Sequence, residues 1–452
     1  ANGRLADMKR MLTWAVAVLA AAGGGLAVFG WLASRDEPPP DETEFAVARP
    51  EVAPEANAFT YFLAATNHLV ETTNAPMIAD FLVGLAPDGA ELRDLVAANA
   101  ECFAQIRRGT ACAVCSIPMV LSFDSEFPYI NAWLKIGKLL AVRSRQARLD
   151  GRWTDAAADA LATARMGGLV VDGAESMIHY LVGMAIAGEG FEQILALATD
   201  PAVPAEDLRA LAAELDARGP YDAGLALALK AESRAAADLV DGFVSGRIDW
   251  LDLMTFGNRE PERDFGKRLL AGLMRSPYFF RPQATLRAIR EKYRQAIRDV
   301  SLPYAQLDLI EESPFGQSAL QLLRPNSVGE FFRRMVVVPA RKTLEAKCRA
   351  ESLLAGAKLV VACHRFQRER GRWPETLAEL VPDFLSAVPR DPYDGAPFRY
   401  SAEKGLVWSV GQNLTDEGGS TQVPCSNKEY VANRDRRRAE DFVFDLRPAA
   451  KE

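Results

Sequence analysis

The sequence is poor in histidine and lacks the common catalytic motifs. Its 452 residues include three histidines, His68, His179 and His364, and each falls in a helical pattern that favours a structural role. No HExxH zinc motif, P-loop, GxSxG nucleophile elbow or dinucleotide fingerprint occurs. The sequence therefore gives no support to a zinc protease, a nucleotide-binding enzyme or a serine hydrolase. Hydrolysis by a pair of carboxylates stays open, because acidic residues are plentiful.

An excess of positive charge is also missing. The chain has 53 Lys and Arg against 60 Asp and Glu, which gives a net charge of −7. Its densest basic run, at 434–438, is interrupted by Asp435 and followed by Glu440 and Asp441, as is typical of a solvated loop. Nucleic-acid binding needs a basic surface, so we expect no nucleic-acid partner.

One long run without charge lies near the N-terminus, from Met11 to Ala33. As a helix it would be about 34 Å long, enough to cross a hydrocarbon core of about 30 Å. A cleaved signal peptide is the alternative, but its apolar region usually has only about 7–15 residues and ends in a small-x-small site. Here bulky Trp31 stands two residues before Ala33. We therefore predict an uncleaved transmembrane anchor over 11–33, in contact with membrane lipid.

Charges on the two sides of this span predict its orientation. Lys9 and Arg10 precede it, whereas mainly acidic residues follow it from Asp36 onward. The positive-inside tendency places residues 1–10 in the cytoplasm and the bulk of the chain in the periplasm, on a single-pass inner (plasma) membrane protein. Residues 34–56 are rich in proline and acid and predict an extended spacer between the membrane and the body.

Helical patterns dominate from Asn57 onward and predict a helical body over 57–330. Its clearest unit is a pair of helices that meet at Asp150-Gly151, with Gly151 as a left-handed cap and Thr154 as the cap of the second helix. This α-hairpin resembles a tetratricopeptide unit, although the 34-residue period does not recur. Further helices are predicted over 90–106, 176–197, 204–217, 223–245 and 283–298.

The last segment, 331–452, predicts a long helix and a small C-terminal module. After the helix, Gly371 and Pro374 mark a turn and the start of a short helix, and Asp391-Pro392 marks a second turn. Alternating residues at 397–400, 406–410 and 441–446 predict three short strands. The fold class is thus mainly α: a transmembrane helix, a TPR-like body and an α+β module with a short antiparallel sheet.

The order of motifs over 370–419 resembles the C-terminal module of the major pseudopilins of type II secretion. The shared features are the Gly-Arg-Trp-Pro turn at 371–374, the Asp-Pro turn at 391–392, the Pro-Phe-Arg-Tyr strand at 397–400 and the Ser-Val-Gly strand end at 409–411. In that family the acidic loop after this strand binds calcium. The resemblance therefore implies Ca²⁺ held by Asn413, Asp416 and Glu417, oxygen ligands that suit a hard cation. Asn413 stands where an Asp is common in the family, and a plain solvated loop is the alternative.

The whole chain departs from a pilin, since more than 300 residues separate its apolar span from this module and the span carries no glutamate. It instead resembles an uncharacterised family of membrane-anchored envelope proteins of planctomycete and verrucomicrobial type. This resemblance brings no known activity. Helical repeats form extended concave surfaces, so we predict a non-enzymatic periplasmic scaffold that binds an unidentified envelope protein, in a secretion- or pilus-like assembly. The alternative is an exported hydrolase that uses carboxylates in a helical cleft.

Six cysteines fit an exported chain. Cys102, Cys112 and Cys115 cluster, and we predict a structural disulfide among them. A reactive dithiol and buried free thiols are the alternatives, because Cys112 and Cys115 have CxxC spacing without a second pair or a nearby histidine to complete a zinc site.

Overall fold

The computed structural model describes residues 24–25, 35–47, 51–119, 122, 125–248, 272–307, 324–336, 340–419 and 441–447. The protein is mainly helical and carries one short antiparallel sheet. Its helices are α1 (Ala58–Asn67), α2 (Ala75–Leu82), α3 (Ala90–Ala98), α4 (Ala100–Thr110), α5 (Ile130–Leu149), α6 (Trp153–Asp172), α7 (Met177–Ala198), α8 (Ala205–Ala217), α9 (Asp222–Ser245), α10 (Pro282–Asp299), α11 (Ser327–Val336) and α12 (Ala340–Arg370). Its strands are β1 (Arg399–Ser401), β2 (Leu406–Ser409) and β3 (Phe442–Asp445).

The predicted hairpin is formed by α5 and α6, with a different cap from the one expected. Gly151 has φ +73°, the left-handed conformation expected after a helix. The residue that precedes α6 is Arg152, not Thr154, and its side chain makes no capping hydrogen bond. The hydroxyl of Thr154 donates to Asp207 instead, at 3.3 Å. Thr154 therefore joins α6 to α8 rather than starting α6.

Close contact between α6 and α7 depends on glycine. A Cβ atom on Gly167 would lie 2.2 Å from the backbone nitrogen of Ala187, and one on Gly190 would lie 2.5 Å from that of Ala164. The two backbones therefore touch directly, which explains the run of small residues in α6. On its other side α6 packs against α5, where Ser144 donates to the carbonyl of Ala156 at 2.8 Å.

One described helix, α7, is long and apolar enough to cross a membrane, and it lies in the middle of the chain. Of its most apolar stretch, 61% is buried inside the protein, against α5, α6 and α12. Its apolar composition is therefore accounted for by the core. The anchor predicted over 11–33 lies outside the described residues, apart from Gly24 and Gly25, which are helical.

The run predicted as one helix over 90–106 is two helices, because Asn99 interrupts it. The Asn99 side chain is fully buried and fastens the loop before α2. It donates to the carbonyls of Val70 and Leu95 at 3.0 and 2.9 Å and accepts from the amide of Val70 at 2.9 Å. This is a buried polar group with its hydrogen bonds satisfied.

The C-terminal sheet has the predicted hairpin and third strand. Its order is β1-β2-β3, antiparallel throughout, with Trp408 paired to Arg399 on one side and to Val443 on the other. The short helix expected at Pro374 is a single 3₁₀ turn, Leu377–Leu380, capped by Thr376. The ring of Phe444 lies directly on Gly356 of α12. One buried apolar cluster extends from Phe45 to Leu446, so this module shares its core with the helical body.

Candidate functional site

The predicted calcium ligands lie in the loop after β2, where their side chains bond to the protein itself. Asp416 accepts from Trp408 Nε1 and from the amide of Gly418, both at 2.9 Å. The hydrogen bond from Trp408 lowers the pKa of Asp416. Asn413 Nδ2 donates to Glu417 at 2.6 Å. The structure thus brings the three predicted residues together in one loop. Oxygen atoms of Asp416 and Glu417 already accept hydrogen bonds from within the protein.

Arg399 brings a positive charge to this end of the sheet. Its guanidinium contacts Asp391 at 3.0 Å, makes a close ion pair with Asp394, and lies 3.8 Å from Asp416. Hydrogen bonding to Asp394 raises the pKa of Arg399. For Asp394, burial acts to raise the pKa, but the hydrogen bonds from Arg399 and the amide of Ala396 together lower it. Arg399 therefore supplies the charge that a bound cation would bring to these carboxylates.

Asp391 is the buried centre of this network, with no exposed surface. Its carboxylate accepts from the amides of Tyr393 and Val410 and from the hydroxyl of Ser409, at 2.8 to 3.0 Å. Burial raises its pKa, and these hydrogen bonds oppose the rise. The Asp-Pro turn thus holds the end of β2 in place, a structural task that explains the motif.

The fit of these residues to Ca²⁺ is poor as they stand. Ca²⁺ takes about 6–8 oxygen ligands, whereas in the part of the chain that the structure describes no group of three or more His, Cys, Asp or Glu is arranged to hold a metal. A cation near Asp416 would also have to compete with Arg399. The calcium site stays a prediction.

A cavity of about 410 Å³ lies between α6 and α8 and offers the clearest place for a carboxylate cleft. Its two acids are Asp172 and Glu214. Arg218 binds both oxygens of Asp172 at 2.6 and 3.0 Å, and Arg165 binds Glu214, with Nε at 2.7 Å. Each acid is thus neutralised by its own guanidinium, an arrangement typical of ion pairs that join helices rather than of a general acid and base.

Another group of charges, missed from the sequence, is buried between α9 and α12. Lys347 Nζ lies 2.7 Å from Asp222 and 3.0 Å from Glu351, and its side chain is 5% exposed. Glu351 accepts from the amide of Tyr221 at 2.9 Å, and burial raises its pKa. The four-residue spacing of Lys347 and Glu351 was the available signal. Lys347 is the shared counter-charge of two acids on different helices, so the group joins α9 to α12.

His179 has the neighbours of a catalytic histidine but no access to solvent. Its ring nitrogens lie 2.8 Å from the hydroxyl of Ser176 and 2.9 Å from that of Tyr129, and it is fully buried. Ser176 also caps α7 by accepting from the amide of His179. The expected structural role of this histidine agrees with these contacts.

Cys102, Cys112 and Cys115 are thiols in the structure, so the predicted disulfide among them is not formed there. Cys102 lies on α4 in the second buried cluster, whereas Cys112 lies at the cavity after the end of that helix. Burial raises the pKa of Cys102 to about 12 and also raises that of Cys112. Cys102 and Cys115 are buried, as in the alternative of buried free thiols, whereas Cys112 is only partly buried. Cys425 lies outside the described residues.

The spacer predicted over 34–56 does not stand free of the body, since residues 35–47 pack along α10. We call this segment the strap. Asp36 accepts from the amides of Gln283 and Ala284 at 2.9 and 3.0 Å and so caps α10 from a distant part of the chain. At the other end of the strap, Phe45 is buried in the main core, 4% exposed.

Three acids of the strap pair with three arginines on one face of α10. Glu37 lies 2.8 Å from Arg287, Glu42 lies 2.6 Å from Arg290, and Glu44 accepts from Arg294 Nε at 2.8 and 3.0 Å. The spacing of 287, 290 and 294 is that of one helix face. The side chain of Arg290 is 5% exposed. The acids of the predicted extended spacer are therefore the complement of a basic helix.

No protein family, curated protein or solved structure matches this chain.

Among the described residues, the strap is fastened to the body, whereas the acids of the cavity are paired with arginines. Of the predicted site residues, the structure brings Asn413, Asp416 and Glu417 together and leaves the three cysteines unbridged. The acids of the strap and the arginines of α10 were not predicted as a site. The sequence shows an acidic run after the span and arginines three and four residues apart at 287, 290 and 294. Nothing in the sequence indicates that these two segments are in contact.

Proposed function

We propose that this protein is a non-enzymatic scaffold of the cell envelope, held in the inner membrane by residues 11–33, with its helical body in the periplasm. One observation carries the proposal: the segment that follows the apolar span is fastened to the body by a helix cap, three ion pairs and a buried phenylalanine. Because the strap follows the predicted anchor directly, it holds the folded body close to that anchor.

The scaffold is favoured over the hydrolase by the state of the acids. Asp172 and Glu214, which share the cavity, are each occupied by an arginine. A pair of catalytic carboxylates requires one group to be held protonated and the other ionised, which arises when their environments differ. Here both acids bond to a guanidinium, so their contacts do not set one apart from the other. The envelope partner of the scaffold, and a secretion- or pilus-like assembly around it, are parts of the same proposal.

The test begins with the full chain in its own membranes. Alkaline carbonate should leave the protein in the membrane pellet, whereas a variant with Leu19→Arg and Val28→Arg in the span should be released or degraded. Affinity capture from solubilised membranes should then recover a partner that a control bait, residues 1–33 fused to an inert soluble domain, does not recover. Release of the unaltered chain by carbonate would contradict the anchor.

The hydrolase is tested separately, with the purified full chain and envelope glycans or peptides as substrates. Cleavage that is abolished by Asp172→Asn or Glu214→Gln, in variants that keep the wild-type melting curve, would overturn the scaffold. We expect no cleavage above the level seen with heat-denatured protein. A matched control is Glu206→Gln, which alters an exposed acid at the start of the neighbouring helix α8.

A further inference from the structure

The strap limits how far the body can be from the bilayer. Ala33 ends the predicted span, and Asp36 is fixed to the first turn of α10 by two backbone hydrogen bonds. Three residues of extended chain reach about 10 Å. Headgroups extend only about 5–8 Å beyond the hydrocarbon on each side. The N-terminal end of α10 must therefore lie within or just above the headgroup layer.

The surface beside this end of α10 has a definite composition. Arg275 rests on the ring of Phe243 and donates to the carbonyl of Ile248 at 2.9 Å, so the segment 272–280 lies beside the end of α9. Two apolar side chains there are exposed, Val244 at 55% and Leu273 at 50%. The start of α11 joins them, since Asn326 bonds to the carbonyl of Tyr278. We call this surface the basal face: Val244, Leu273, Arg275, Tyr278, Arg281 and Arg324.

The charge of the basal face complements a phospholipid surface. Among the residues that the structure describes, Arg275, Arg281 and Arg324 have no carboxylate within ion-pair distance. The arginines of the strap contact on α10 differ, because each holds an acid. Arginine, tyrosine and exposed aliphatic side chains together are the residues that settle at a membrane interface. Basic residues close to an anionic bilayer are attracted to its surface.

We propose that the basal face is a lipid-binding surface that lies on the phospholipid headgroups of the membrane holding the anchor, with Val244 and Leu273 among the headgroups. The strap sets this orientation, because only three residues separate the predicted span from the strap residue that caps α10. The opposite end of α10 then points into the periplasm, since a helix of 18 residues is about 27 Å long. The inference rests on the proposed membrane anchor and adds the orientation of the body.

Site-specific photo-cross-linking tests the contact in the full chain. A photoreactive amino acid is placed at 273 or at 244, and the protein is reconstituted in vesicles of phosphatidylethanolamine and phosphatidylglycerol. The control position is Leu414, which is 42% exposed and follows Gln412, a neighbour of Tyr304 beyond the far end of α10. We expect lipid adducts with the photoreactive residue at 273 or 244 and no lipid adduct at 414. All three positions are exposed, so the replacements should fold, and melting curves check this.

A second set of variants tests the strap. Glu37→Arg with Glu44→Arg places like charges opposite Arg287 and Arg294, and we expect the lipid adduct at 273 to fall toward the level at 414. Adding Arg287→Glu and Arg294→Glu exchanges the partners and should restore the adduct. Equal adduct at 273 in all three proteins would show that the strap does not set the orientation and would overturn that step.

The remaining outcomes separate this inference from the proposed function. If the chain stays in the vesicles but 273 gives no lipid adduct, or gives a protein adduct instead, the basal face is not a lipid surface and the anchor stands. If the chain fails to insert in the vesicles and is extracted from native membranes by carbonate, the anchor itself is refuted, and the inference with it.

Discussion

Replacing Arg399 with glutamine should destabilise the C-terminal module severely. Arg399 is 20% exposed and is the counter-charge of Asp391, which is fully buried, and of Asp394, which is 23% exposed. Removing one partner of a buried ion pair typically costs about 3–5 kcal/mol, because the other charge stays behind without compensation. Glutamine keeps a hydrogen-bonding amide, so we expect a loss of about 3 kcal/mol in the free energy of unfolding. Arg390→Gln is the matched control, since that exposed arginine donates to the carbonyl of Gly395 and pairs with no acid among the described residues.

The assay is urea unfolding at neutral pH, followed by tryptophan fluorescence, with and without millimolar Ca²⁺. Trp408 reports on the module because its indole nitrogen donates to Asp416. Wild-type unfolding should not respond to Ca²⁺, whereas Arg399→Gln should be partly rescued by it, because three carboxylates then lack a cation. A variant as stable as wild type would refute the reasoning. Stabilisation of the wild type by Ca²⁺, lost in Glu417→Gln, would instead establish the calcium loop.

Three further predictions concern the core and the strap. Burial lowers the pKa of His364 to about 4 from an ordinary 6.5, so the unfolded state binds more protons between these values. The free energy of unfolding should therefore fall by roughly 3 kcal/mol as the pH falls from 6.5 to 4. In His364→Gln the free energy of unfolding, measured with urea, should depend less on pH over this range. Gly167→Ala should cost about 1–3 kcal/mol in urea unfolding, since its Cβ would meet the backbone of Ala187, whereas Gly188→Ala, whose Cβ would have ordinary contacts, should be neutral or stabilising. Phe45→Ala should cost about 3 kcal/mol and speed hydrogen exchange in residues 35–47; unchanged exchange there would contradict a packed strap.

The sequence predicted most of the helices because their apolar residues recur at helical steps. Leu353, Leu354 and Val360 on the predicted long helix are buried. Gly151 and Gly371 adopt the left-handed conformation expected after their helices. The sheet was predictable for a similar reason, since Leu406 to Val410 is bounded by turn residues. These are local signals, and local structure follows them.

The errors have a different physical origin, because they concern contacts between distant parts of the chain. Asn99 divides a helical run by bonding to the backbone of Val70, and Thr154 was predicted as a cap but bonds to Asp207 on another helix. The acids after the span were assigned to an extended spacer, although arginines 248 and 250 residues later pair with them. A local pattern cannot show which distant partner completes a charge.

The candidate site was the hardest part to predict, since a sequence motif identifies residue types but not their hydrogen-bond partners in the fold. Asn413, Asp416 and Glu417 have the oxygen ligands of a calcium loop, but in the fold those oxygens are used by one another and by Trp408, with Arg399 close by. The cavity acids Asp172 and Glu214 lie in different helices, and no spacing connects them. Chemistry at such positions depends on the partners, which only the structure supplies.

Protease digestion of intact spheroplasts tests the central claim most directly. If residues 11–33 anchor the chain with its body in the periplasm, added protease should degrade the helical body, while an N-terminal tag stays protected until the membrane is opened with detergent. Protection of the whole chain, or recovery of a soluble mature protein in the supernatant, would contradict this account.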